Sequence, residues 1–182
     1  PDKIVAEKVW PNCSAATVRT IGIIAVMAGL PPKALPIACA IAKAYSDAPG
    51  QALVVSTNSF GFLPVIKGPV VNELGLNFQE HAMSSVPGKL NAALGRFLRL
   101  LQIAIGGWKQ GENAFGVIGN PMLGCSALAE NPNYSNSRTS TVTLVTGCWS
   151  FFGNYMNMDF QNLIDMATVS YTHLTLPTNS LV

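Results

Sequence analysis

The sequence predicts an α/β (or α+β) fold, a layered domain of short, mostly buried strands packed by helices. Three observations predict it. Long stretches with apolar residues at helical spacing alternate with short apolar runs. Gly and Pro clusters, from 16 Gly and 12 Pro, punctuate them. One run, "STVTLVTG", alternates Thr against Val and Leu as a half-buried strand does. The predicted order is helix, helix, strand, strand, helix, strand, strand, helix.

"SAATVRTIGIIAVMAG" (14–29) reads as the first helix. Ser14 is its expected cap, and Gly29 lies just past its end. Val18, Ile21, Ile24, Ala25 and Ala28 recur at helical spacing. Pro31 and Pro32 stop it and start a second helix, with Pro36 still early enough to be tolerated. The two prolines and Lys33 interrupt residues 21–42, which argues against a membrane span. "ALVVST" (52–57) reads as a buried, parallel strand, and a second strand lies around Leu63 to Lys67. "VVNELG" is a short helical turn closed by Gly75.

"GKLNAALGRFLRLLQIAIGG" (88–107) carries the strongest helical pattern. Leu90, Leu94, Phe97, Leu98, Leu101 and Ile105 share one face, and Gly106–Gly107 end it. "CSALAE" and "STVTLVTG" read as further strands, and "DFQNLIDMAT" as a last helix from Asp159. Residues 1–168 are expected to form a single α/β domain; the start on Pro1 rather than Met suits a fragment of a longer protein, and equally a processed or trimmed chain. The tail from 169 to 182 continues no pattern before it. It reads either as a loose C-terminal extension or, since its "SYTHLTLPT" resembles a translated sequencing adapter, as a non-native tail that cuts the native sequence off near Thr168. On that reading His173 carries no chemistry and His81 is the only informative histidine.

Only 11% of residues are charged against 49% hydrophobic, and the net charge is +2. So weak a charge, with no basic run, argues against a nucleic-acid partner. Few charges on so apolar a chain point instead to a homo-oligomer or a missing N-terminal domain. Cys13, Cys39, Cys125 and Cys148 form no CxxC pair and no zinc spacing. They read as thiols kept reduced in a cytoplasm. No metal site, nucleophile elbow, P-loop or dinucleotide fingerprint is legible, and no cofactor is named by the residues. The long Gly-rich stretch "GGWKQGENAFGVIGNP" is either a surface connection or a loop over a site.

Three constellations can carry chemistry with a small-molecule substrate. Thr57 and Asn58, with Ser59, follow the first buried strand, where α/β sheets bind ligands; they equally suit a capped turn. Asn91 starts the long helix, and Arg96 and Arg99 stand three apart beside its apolar stripe. Either Arg can grip a carboxylate or phosphate, or lay its stem along the core. Glu130 and Asn131 close a strand, a place for acid/base work and substrate contact. Cys125 precedes that strand, and is a nucleophile only if something lowers its pKa. His81, after Glu80, is a lone loop histidine.

Several blocks together resemble the UGSC-type (seleno)protein family. They are "TVRTIGIIAVMAGLPPKALPIACAI", "STNSFGFLPVIKGPVVNELGLN", "NAALGRFLRLLQIAIGG", "GNPMLGCSALAEN" and "STVTLVTG", spanning roughly residues 17–147. The resemblance implies thiol or selenol redox chemistry, centred on a short Sec- or Cys-containing motif upstream of these blocks. No such motif occurs here; "LGCSAL" offers only Gly124–Cys125–Ser126 in another context. Asn91, Gly95, Arg96, Glu130 and Asn131 fall in the best-matching blocks. Where related chains carry a "GPGWRAN"-like run, this one has "SVPGKLNAA", with Lys89 in place of the Arg. The expectation is therefore the substrate-side portion of an oxidoreductase. The alternative is a non-catalytic partner-binding or oligomerisation domain.

Overall fold

The structure, a computed structural model, describes residues 1–49, 51, 55, 60–83, 86–116, 124, 126–134 and 137–148. All lie in the first of two units into which the chain divides, Pro1–Trp149 and Ser150–Val182. The last helix expected from Asp159, and the tail, lie outside the described residues. So does nearly all of the strand expected over 52–57.

The chain begins with a hairpin that the sequence pattern did not announce. Strand β1 (Ile4–Val9) pairs antiparallel with β2 (Ser14–Thr17). The alternating charges of "VAEKV" hide β1, whose only fully covered residues are Ala6 and Val9. Ser14 therefore does not cap the first helix. It is a strand residue, and helix α1 (Val18–Met27) starts four residues later. Thr17 is the cap. Its hydroxyl accepts from the Thr20 amide at 3.3 Å, and the Thr20 hydroxyl accepts from the Thr17 amide at 2.9 Å. Two threonines thus do reciprocally what Ser and Glu do in a capping box. Pairing with β1 outweighs the strong helix preference of Ala15 and Ala16.

The rest of α1 follows its pattern. Ile21, Ile24, Ala25 and Ala28 are buried, and Gly29 turns the chain at φ +85°. Pro32 opens a 3₁₀ turn that leads into α2 (Leu35–Asp47), with Pro36 in its first turn. Helix α2 buries Ile37, Ala38, Ile41, Ala42 and Tyr45. The Ser46 hydroxyl accepts from the amides of Glu7 and Lys8, at 3.0 and 2.9 Å, and so ties β1 to α2.

Strand β3 (Phe60–Lys67) is the centre of a three-stranded sheet of order β4-β3-β5. It runs parallel to β4 (Leu128–Ala129) and antiparallel to β5 (Thr141–Cys148). In β5 the expected alternation holds: Thr141 and Thr143 are exposed, Val142 and Leu144 half-buried. After β3, Gly68 turns into the short helix α3 (Val70–Leu74), which Gly75 closes in the left-handed region at φ +63°. A Cβ at Gly68 would lie 2.5 Å from the Thr139 carbonyl oxygen, so glycine is required at this crossing.

Helix α4 (Asn91–Ala104) buries Leu94, Phe97, Leu98 and Leu101, with Leu90 and Ile105 partly covered at its ends. At about 1.5–3 kcal/mol for each fully buried large side chain, this stripe is among the main stabilising faces of the fold. Helices α1, α2 and α4 pack on one another, and α2 touches both β1 and β5. The architecture is thus an α+β arrangement of hairpin, helices and sheet. Among the described residues, no helix is long and apolar enough to cross a membrane.

Candidate functional site

Because β3 and β4 are parallel, their carboxyl ends lie on the same edge of the sheet. Each ends in a charge of opposite sign. Lys67 is the last residue of β3, and Glu130 follows β4 directly. The Glu130 amide donates to the Ile66 carbonyl at 2.8 Å, extending the parallel ladder by one step. This places the Lys67 Nζ 3.4 Å from Glu130 Oε2, with both side chains about two-fifths exposed (41% and 43%). A half-solvated pair of this kind contributes at most about 1 kcal/mol to stability. It does set a carboxylate and an ammonium side by side, reachable from solvent, at the sheet edge where ligands of α/β proteins bind.

Asn131 stands beside the pair and shapes the chain leaving it. Its side-chain oxygen accepts from the Asn133 amide at 2.9 Å, and its carbonyl accepts from the Tyr134 amide at 3.1 Å. It therefore caps the 3₁₀ turn Pro132–Tyr134 that follows Glu130 in the chain.

Asn91 has a different place from the one its residue type suggested. It is 1% exposed, and its side-chain amide is fully engaged within the protein. Its oxygen accepts from the Asn77 amide at 2.8 Å, and its nitrogen donates to the carbonyls of Asn77 at 3.0 Å and Ala127 at 2.9 Å. Its own carbonyl accepts from the Ala127 amide at 2.8 Å. Asn91 is thus a clamp between the loop after α3 and the segment entering β4, and it acts three residues upstream of Glu130. One turn along α4, Gly95 lets Ser126 approach: a Cβ there would sit 2.5 Å from the Ser126 nitrogen.

Arg96 is exposed and is not brought to the pair. Its guanidinium makes a long 3.5 Å contact with the Ala28 carbonyl at the end of α1. His81 is exposed in the loop after α3 with φ +59°. Thr57, Asn58 and Cys125 lie outside the described residues. Cys13 and Cys39 are free; burial pushes the Cys39 thiol up, which keeps it protonated and inert. No group of three His, Cys, Asp or Glu side chains among the described residues is arranged to hold a metal ion.

Sequence reasoning missed Lys67 as a functional residue. The available signal was that two predicted strands each finish on a charge, of opposite sign. It also missed Tyr45, which α2 carries into the core. The ring meets Phe62 edge-on at 5.2 Å, and the hydroxyl is buried beside the Gln102 side chain. Burial pushes the phenol well above its ordinary range, more than the opposing influence of Gln102 and Arg99. The sign of the consequence follows. Above about pH 10 the unfolded tyrosine loses its proton while the folded one keeps it, so stability falls as pH rises. Below pH 10 both states are protonated and the contribution is fully present. Urea unfolding of Tyr45→Phe is expected to show a shallower decline than the native chain above pH 10. The difference is up to about 1.4 kcal/mol per pH unit. Parallel curves for the two proteins would contradict a buried, neutral Tyr45.

No protein-family model, curated protein or solved structure matches the chain.

Proposed function

We propose that this chain is the substrate-side portion of a thiol- or selenol-dependent redox enzyme, in which Glu130 moves a proton. The observation that carries this reading is the Lys67–Glu130 pair at the carboxyl ends of two parallel strands. A carboxylate beside an ammonium, open to solvent, can take a proton from a bound small molecule or return one to a leaving thiolate. Lys67 would hold the anionic form of Glu130 or of the substrate. Asn91 would serve the site from behind, by fixing the segment that leads to Glu130, and Asn131 by capping the turn that follows it. Arg96, exposed on α4, remains the proposed contact for a more distant anionic part of the substrate. The thiol or selenol would come from a segment upstream of the residues that resemble the family.

Long-read sequencing across the source locus is expected to show an in-frame Cys- or Sec-bearing motif upstream. In that full-length protein, Glu130→Gln should lower thiol-consuming turnover about 10²-fold, chiefly in kcat. A loss under about threefold would remove Glu130 from the chemistry.

A second reading rests on α1. Ile23, Val26 and Met27 stand on one face of that helix, 55%, 73% and 62% exposed. Such a stripe suits a partner-binding or oligomerisation domain. If Glu130→Gln left turnover intact while Val26→Asp abolished it, this second reading would replace the first.

A further inference from the structure

The three-stranded sheet has two edges of unequal kind. Strand β4 is two residues long and is soon followed by the turn Pro132–Tyr134. Strand β5 is eight residues long and, among the described residues, has no strand on its outer side.

The register fixes which peptide groups of β5 face outward. The Ile66 carbonyl accepts from the Glu130 amide, so the peptide groups of Ile66 point toward β4. Direction alternates along a strand, so Lys67, Val65, Leu63 and Gly61 turn theirs toward β5. Their partners there are Thr141, Thr143, Val145 and Gly147. Pro64 agrees: it has no N–H to give, and it lies opposite Leu144, outside the hydrogen-bonded set. Val142, Leu144, Thr146 and Cys148 therefore direct their N–H and C=O groups away from β3. Among the described residues, no other main-chain group meets them.

Sheet edges are ordinarily blunted by lysine, proline, a bulge or brevity. Strand β5 has none of these. Its sequence, TVTLVTGC, carries no charge and no proline, and its pairing with β3 runs unbroken from end to end. Val142 and Leu144 are partly buried against the core, whereas Val145, on the other face, is 46% exposed.

The strand itself argues for its occupant. A charged strand laid antiparallel on its own copy brings like charges close, and a neutral one does not. An acidic or basic peptide would find no charge on this edge to recognise. Antiparallel pairing also requires that outward groups of one strand meet outward groups of the other. With Val145 on a two-fold axis this holds at every step. Val142 meets Cys148, and Leu144 meets Thr146, each as a hydrogen-bonded pair, for about eight hydrogen bonds in all. Val145 then faces its own copy in a non-hydrogen-bonded pair, the type in which side chains come closest. The exposed apolar side chain is thereby covered.

We propose that β5 is a dimer interface, at which two copies of this chain pair their β5 strands antiparallel about Val145 and join their sheets into one. Such a contact closes on itself, because it consumes the long edge of each sheet.

Size-exclusion chromatography with light scattering on the full chain, from micromolar to millimolar protein, tests this. A dimer is expected. Val145→Lys sets two ammonium groups face to face at the axis and should raise the dimer dissociation constant at least about tenfold. Thr146→Pro removes an outward N–H that β3 does not use, and should also weaken the dimer. Val145→Cys reports the register. Cα atoms in such a pair lie about 4.5 Å apart, within disulfide reach, so oxidised glutathione should link two copies of Val145→Cys well beyond the native chain. Thr141→Cys, past the end of the paired segment, should link no more than the native chain does. A monomer throughout that range overturns the proposal and leaves the edge to other residues of the chain itself. So does a dimer that Val145→Lys leaves intact while Val26→Asp in α1 dissociates it. If Val145→Lys does not fold, equal linking of Val145→Cys and Thr141→Cys overturns the proposal by itself.

Discussion

Asn91→Ala is expected to lower the free energy of unfolding by about 3–5 kcal/mol. The substitution leaves the Asn77 amide and the Asn77 carbonyl without partners and removes one of the donors to the Ala127 carbonyl, which keeps the Ser126 hydroxyl at 3.2 Å. Each orphaned group costs about 1–3 kcal/mol unless water reaches it, and position 91 is 1% exposed. Asn91→Asp separates hydrogen bonding from volume. It is the same size, yet it sets a carboxylate oxygen against two carbonyls, so it should rescue little. Urea unfolding of both variants, with the slope unchanged, checks this. A loss below about 1 kcal/mol in Asn91→Ala would show that the clamp is not closed.

Gly95→Ala is the second large effect, and its direction opposes helix propensity. Alanine in place of glycine inside a helix ordinarily stabilises by about 0.5–1 kcal/mol. At position 95 the new Cβ would stand 2.5 Å from the Ser126 nitrogen and 2.7 Å from its carbonyl carbon and oxygen. These are main-chain atoms on the segment that enters β4, so they cannot rotate aside. The expected result is a net loss of about 2–3 kcal/mol. The control is Gly22→Ala in α1, whose new Cβ would meet only Leu35 Cδ1 at 3.9 Å. That substitution should be neutral or gain up to about 1 kcal/mol. If thermal or urea unfolding showed the two alanines with the same sign, close packing of α4 on Ser126 would be refuted.

The helices were legible because their patterns are local. Val18 to Ala28 and Leu94 to Leu101 state a buried face in their own spacing, and the proline pair at 31–32 marks a boundary by covalent geometry. The N-terminal hairpin was not legible, because its reason lies elsewhere. Ala15 and Ala16 are strand residues only because Ile4–Val9 is there to pair with them. The same limit applies to the site. Glu130 could be singled out as a carboxylate closing a strand. That Lys67 is its neighbour depends on β3 and β4 being parallel and adjacent, a contact across more than sixty residues. Asn91 was noticed for its position at a helix start, but its partners, at 77 and 127, are main-chain groups that no residue pattern encodes.

That last point bears on how such a chain can diverge. The Lys67–Glu130 pair joins two side chains, so an exchange at one position can be compensated at the other, and the chemistry at the sheet edge is free to drift. Asn91 serves peptide groups, which are the same whatever residues occupy 77 and 127. No substitution at its neighbours can relieve a change at 91. Descendants of this chain can therefore alter what the edge binds while inheriting one asparagine beneath it, so that ancestry is recorded at a buried position and function at an exposed one.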